Sequence, residues 1–138
     1  MNKPIKILMD VPSKAEYLKL LRDTVESILS KKKNININII SEIKVALTES
    51  CSNIIKHTDT TYDNPSIRVE FILYESLLRI HVNYKDKSFA PETVAPPDLN
   101  NLSESGFGIY IMKNIMDKCE YIKNEGTGEI MVILEKRL

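Results

Sequence analysis

The sequence is short of cysteine and histidine, carries no surplus of either charge and has no long apolar run, and each shortage narrows the field. Its two cysteines, Cys51 and Cys119, lie in separate element-like segments without metal-ligand spacing. That argues for reduced, structural thiols in a cytoplasmic protein rather than for a metal cluster. Nineteen basic residues balance nineteen acidic ones, which leaves no broad electrostatic footprint for nucleic acid or a membrane. The lysine run Lys31-Lys32-Lys33 suits the end of a first helix, where the macrodipole favours positive charge. No apolar stretch approaches bilayer-spanning length, and Met1 to Lys6 carries no secretory apolar region. At 138 residues the chain suits one domain, residues 1–138, large enough for a core without staples.

What is present alternates between strand and helix patterns. Ile5 to Val11 reads as a strand closed by Pro12. Ser13, with Glu16 three residues on, has the spacing of a capping box and predicts a helix that buries Tyr17, Leu18, Leu21, Val25 and Ile28. A connector around Asn34 to Ile40 leads to a second helix from Ser41 to His57, and Thr58 to Ser66 reads as a loop. Ile67 to Tyr74 and Leu77 to Tyr84 form a hairpin turning at Glu75-Ser76. An irregular stretch with three prolines runs from Lys85 to Ser105; loops of that length inside a compact domain are uncommon and often serve as lids. A third helix pattern spans about Phe107 to Lys118. Strands near Glu120 to Lys123 and Glu129 to Glu135 then flank Gly126-Thr127-Gly128, and no repeat or domain boundary interrupts the order.

Two segments carry chemistry. In the second helix Glu49, Asn53 and His57 recur at i, i+4 and i+8, forming a polar stripe apart from the apolar face of Ile43, Leu47 and Ile54. A carboxylate, a carboxamide and an imidazole so stacked can act on one ligand, although the spacing alone fits an ordinary solvated face better. The second segment is Ser105-Gly106-Phe107-Gly108, a glycine pair at the mouth of the third helix, directly after the long loop. Glycine lets backbone approach a phosphate closely, and the free N–H groups of a helix start attract anions. Taken alone, the same residues describe a tight turn into a helix.

The order of these motifs resembles the small anti-sigma-factor serine kinases of bacterial partner-switching systems. They belong to the superfamily of gyrase, heat-shock protein ninety and the histidine kinases. The resemblance rests on Val11-Pro12-Ser13-Lys14-Ala15-Glu16-Tyr17-Leu18 with Arg22 and Val25, on Ile43 to Asn53 ending in His57, on Gly106-Phe107-Gly108, on Ile115-Met116-Asp117 and on Gly126-Thr127. It implies an α+β fold, a two-layer α/β sandwich of the Bergerat or histidine kinase-like ATPase type, with helices on one face of a mixed, mainly antiparallel sheet. It further implies ATP and Mg²⁺ as cofactors, with Asn53 on the metal and Glu49 as general base for a protein serine hydroxyl. Gly106, Phe107 and Gly108 would offer backbone N–H groups to the phosphates, Thr127 would lie near the adenine, and His57 would be structural. The implied partners are a sigma factor and a STAS-domain anti-anti-sigma factor, and relatives commonly act as homodimers.

One box departs from the family. Relatives carry Asp-x-Gly-x-x-Phe after the second hairpin strand, where this sequence reads Tyr84-Lys85-Asp86-Lys87-Ser88-Phe89. The adenine-binding Asp becomes Tyr84, and the Gly becomes Asp86. Tyr84 is in phase with Leu78, Ile80 and Val82, so its phenol is expected on the helix-facing side, where it could fill the adenine pocket or hydrogen-bond within it. Asp86 could replace the lost carboxylate if the loop shifted by two residues. The stretch Ala90 to Ser105 holds Glu92, Asp98 and Glu104 and no Lys or Arg, whereas a lid on a triphosphate profits from positive charge. The resemblance therefore admits two functions: a sigma-factor-binding serine kinase, or a degenerate module of the same fold that regulates by protein binding without nucleotide. A sensor-kinase fragment fits poorly, because neither histidine lies in a phosphoacceptor helix.

Overall fold

The computed structural model describes residues 3–57, 64–86 and 107–138. Within these, strands β1 (Ile5–Pro12), β2 (Ser66–Leu73), β3 (Leu77–Lys85), β4 (Lys118–Asn124) and β5 (Glu129–Arg137) form one sheet in the order β1-β2-β3-β5-β4. Every pairing is antiparallel. The expected mixed sheet is therefore purely antiparallel over these strands. Helices α1 (Leu18–Leu29), α2 (Ile37–Lys56) and α3 (Phe107–Ile115) complete the fold.

Strand alternation sorts the residues onto two faces. Val11, Ile67, Val69, Phe71, Leu78, Ile80, Val82, Ile130, Val132 and Leu134 are buried, and each lies in helix-facing phase. Against them α1 places Leu21, Val25 and Ile28, and α2 places Ile43, Leu47, Cys51 and Ile54. Leu18 and Tyr17 are half-buried at the edge of this cluster. Cys51 is free, and burial pushes its thiol up to about 12, so it behaves as a small apolar side chain. Cys119 is also free and half-buried. Among the described residues no helix is long and apolar enough to cross a membrane, and no cluster of three or more His, Cys, Asp or Glu could hold a metal ion.

Three local expectations shift. Ser13 does not cap α1. Its N–H continues the β1–β2 edge by donating to the Pro65 carbonyl at 2.9 Å, and a short 3-10 turn, Ala15–Tyr17, precedes α1 with Lys14 at its N-cap and no side-chain cap bond. Helix α2 starts at Ile37, earlier than Ser41, because Asn36 supplies the cap: its side chain accepts from the Asn38 N–H at 2.9 Å. Helix α3 stops at Ile115, short of Lys118, since the Asp117 N–H already pairs with the Glu135 carbonyl at 2.9 Å and carries the chain into β4. The lysine run lies just past α1, where the Lys32 ammonium donates to the Glu75 carbonyl in the β2–β3 turn.

Candidate functional site

Helices α2 and α3 meet where the sequence places its two chemical segments. Glu49 and Asn53, one turn apart on α2, are half-buried, and Gly108 in the first turn of α3 is buried. A β-carbon built on Gly108 would lie 2.6 Å from Glu49 Oε2 and 3.2 Å from Asn53 Nδ2. Only a glycine allows this approach without movement. The first N–H groups of an α-helix have no partner within the helix, and its positive dipole end favours anions. The α3 start therefore sets an anion-attracting backbone beside a carboxylate and a carboxamide, both of which carry the hard oxygen donors that Mg²⁺ takes. The next residue, Ser50, has its Oγ buried with no hydrogen-bond partner among the described residues. On the other side, Thr48 Oγ1 accepts a long 3.5 Å contact from Arg22 of α1.

A second group gathers at the end of β3. Tyr84 pairs in register with Ile130 of β5 and packs against the core from the helix-facing side, as its phase predicts. Burial, aided by the Asp86 carboxylate, raises the Tyr84 phenol well above its ordinary range, so it stays protonated and can both donate and accept. Burial does the same to Tyr121 on β4. Asp86 is buried, and its N–H donates to the Gly128 carbonyl at 3.0 Å. Gly128 has φ 74°, a conformation that favours glycine. Thr127 is exposed in the same turn: its N–H donates to Asn124 Oδ1 at 3.3 Å, and its Oγ1 accepts from the Glu129 N–H at 3.2 Å. A cleft of about 520 Å³ opens here, lined by Tyr84, Ile54, Asn83, Lys85, Arg68 and Asp10 among others. Glu49, Asn53 and Gly108 are not part of its lining. It adjoins them through Ile54, the residue after Asn53.

Residues 11–134 match the family model of the histidine kinase-like ATPase domain. A relative of the same kind over nearly the whole length decides the narrower family: serine-protein kinase RsbW of Bacillus mycoides is 32% identical over 139 residues, covering 95% of this chain and 86% of that protein. The chain belongs to the RsbW-type serine-protein kinase family. RsbW of Bacillus cereus agrees, at 32% identity over 91% of this chain and 82% of its own. The fold also matches the crystal structure of the RsbU and RsbW domains of Rv1364c from Mycobacterium tuberculosis, with a TM-score of 0.69 and 14% identity. That match covers 97% of this chain and 32% of the solved one.

Of the residues singled out from the RsbW-type pattern, the structure brings Glu49, Asn53 and Gly108 into contact, and it joins Asp86 to the turn that holds Thr127. Phe107 opens α3. Gly106 lies outside the described residues, as do the acidic positions Glu92, Asp98 and Glu104. His57 is the C-cap of α2, its N–H donating to the Asn53 carbonyl at 3.1 Å while its side chain is exposed. Sequence reasoning missed the burial of Ser50 and the role of Gly128. The Gly-Thr-Gly turn was visible, but nothing local told which glycine needed a positive φ or that its carbonyl would hold Asp86.

Proposed function

We propose that this protein is a partner-switching regulator that binds a sigma factor and, with ATP and Mg²⁺, phosphorylates a serine on a STAS-domain antagonist. The observation that carries the reading is the close approach of the α3 start to Glu49 and Asn53, distant in sequence, so close that a β-carbon on Gly108 would stand 2.6 Å from Glu49 Oε2 and 3.2 Å from Asn53 Nδ2. The donor set suits Mg²⁺ and phosphate at this end: Asn53 would hold the metal, the α3 amides would face phosphate oxygens, and Glu49 would accept the proton of the attacking serine hydroxyl. Bound Mg²⁺-ATP supplies the transferable phosphoryl group and neutralises its charge; the protein's part is positioning. A phosphoserine adds about 1.5 to 2 negative charges, enough to expel a docked antagonist by repulsion and desolvation. The same reading has one domain, residues 1–138, acting in the cytoplasm as a homodimer, without contacting nucleic acid or membrane.

A second reading is favoured by one observation, the half-buried Tyr84 where the resemblance expects a carboxylate. In that reading the chain keeps the fold and its partner surfaces, binds no nucleotide, and exchanges partners by competing affinities. Thermal melts with ATP or ADP, each with and without Mg²⁺, separate the two. A ligand at 100 times its dissociation constant stabilises the folded state by about 2.7 kcal/mol, which raises the melting temperature by several degrees. A saturable, Mg²⁺-dependent rise supports the kinase, and Glu49→Gln should then keep the rise while abolishing serine phosphotransfer. No rise at millimolar nucleotide would leave the binding module.

A further inference from the structure

We propose that Lys136 is a positioning residue for the site: with Glu42 it pins the register of α3 on α2, and so holds Gly108 against Glu49 and Asn53. The inference rests on reading that constellation as the functional site. Lys136 lies near the end of β5, with its side chain 14% exposed, and its ammonium meets Glu42 Oε2 of α2 at 2.8 Å. The same ammonium donates to the carbonyl of Ile115, the last residue of α3. One cation thus caps the negative end of the α3 dipole and ties it to α2.

The spacing gives this clamp its meaning. Gly108 and Ile115 are seven residues apart on α3, and Glu42 and Glu49 are seven apart on α2. Seven residues make nearly two turns, about 10.5 Å of axial rise, and return to nearly the same face. The two helices therefore run antiparallel, fastened at both ends of equal lengths: Gly108 at Glu49 and Ile115 at Glu42. The N-terminal fastening is a close approach, with no hydrogen bond between α2 and Gly108 among the described residues. The C-terminal one is ionic, and it is backed by the Asp117 N–H on the Glu135 carbonyl at 2.9 Å and the Arg137 N–H on Asp117 Oδ2 at 2.7 Å. Axial slip of α3 is resisted at its C-terminal end and felt at Gly108, where there is no room even for a β-carbon beside Glu49 Oε2.

The neighbouring residue supplies a control. Glu135 points to the opposite sheet face, where its Oε2 accepts from Arg79 Nε at 2.5 Å. Arg79→Met breaks the ion pair between β3 and β5 on that opposite face, away from the clamp. The experiment compares wild type, Lys136→Met, Glu42→Gln, Lys136→Arg and Arg79→Met by amide hydrogen exchange over residues 107–115 and by Mg²⁺-ATP affinity. Removing the ammonium should speed α3 exchange by about tenfold while leaving α1 unchanged, and should weaken nucleotide binding by about fivefold or more as the α3 start drifts. Glu42→Gln should do the same in smaller measure, and Lys136→Arg should restore both. Unchanged exchange in Lys136→Met, or an equal effect from Arg79→Met, overturns the proposal. If wild type binds no nucleotide the functional reading fails on its own, and the exchange comparison still decides the clamp.

Discussion

Gly108→Ala separates the stability of this fold from its chemistry. A β-carbon at this position would stand 2.6 Å from Glu49 Oε2, about 0.8 Å inside ordinary carbon–oxygen contact. Two atoms can give way, and they are not equal. Glu49 Oε2 ends a flexible side chain, whereas Gly108 belongs to a helix held at its far end by Lys136 and Asp117. The carboxylate therefore rotates aside, and the Asn53 carboxamide, at 3.2 Å, follows by a few tenths of an ångström. Alanine is meanwhile the better helix former, by about 0.8–1 kcal/mol in a helix interior and by less in a first turn, so the folded state is left nearly unchanged. A reacting group displaced by about 1 Å can cost 100-fold in rate. The expected result is a melting temperature at or above that of wild type, together with serine phosphotransfer reduced by about 10- to 100-fold. A variant that transfers phosphate within twofold of wild type would refute the placement of Glu49 beside Gly108 in the working protein. A variant that melts well below wild type would show that the backbone, not the carboxylate, yields.

Two further outcomes follow from one buried and one half-buried polar group. An unsatisfied buried hydroxyl costs about 1–3 kcal/mol, so Ser50→Ala, which deletes the unpartnered Oγ and improves helix propensity, should raise the melting temperature by a few degrees; a fall would mean that the hydroxyl has a partner in solution. His81, on the sheet face away from the helices, has its pKa lowered by burial, with Glu70 opposing in part. Its folded pKa lies below the ordinary imidazole value, so the unfolded chain binds the proton more readily. The stability from neutral His81 is present above that ordinary value, about 6.5, and is lost as pH falls through the folded value. Melting curves of wild type and His81→Gln between pH 7.5 and 5 should show wild type losing more stability on acidification, and parallel losses would refute the assignment.

What the sequence disclosed and what it withheld divide along contact range. The hairpin from Ile67 to Tyr84 was legible because period-two alternation and the Glu75-Ser76 turn are local, and the same alternation placed Tyr84 on the helix-facing side. The polar stripe of α2 was legible because i, i+4 spacing is local too. The start of α2 was not: Ile35-Asn36-Ile37-Asn38 alternates like a strand, and only the Asn36 cap, set by backbone geometry, makes it a helix start. Ser13 was misplaced because Pro65, 52 positions away, pairs with its N–H and extends the sheet, so the first helical turn starts only after Lys14. The contact of Gly108 with Glu49 and the clamp of Lys136 on Glu42 span 59 and 94 positions, beyond any periodic signal. Motif order pointed to the first of these through family resemblance, and nothing pointed to the second.

The strand order β1-β2-β3-β5-β4 also sets a timetable. Because β5 lies between β3 and β4, the described part of β4 reaches the sheet only through a strand made after it. During synthesis β1, α1, α2 and the β2–β3 hairpin can assemble early, but the inner edge of β3 stays open until residues 129–137 emerge. Until then the backbone edge beside Ile80, Val82 and Tyr84 offers unpaired groups to any passing strand. The anchor that fixes α3 arrives on the same late strand, so the constellation of Glu49, Asn53 and Gly108 is completed only in the last step of folding. A nascent chain paused before β5 exposes the apolar β3 edge while its candidate site is still unmade.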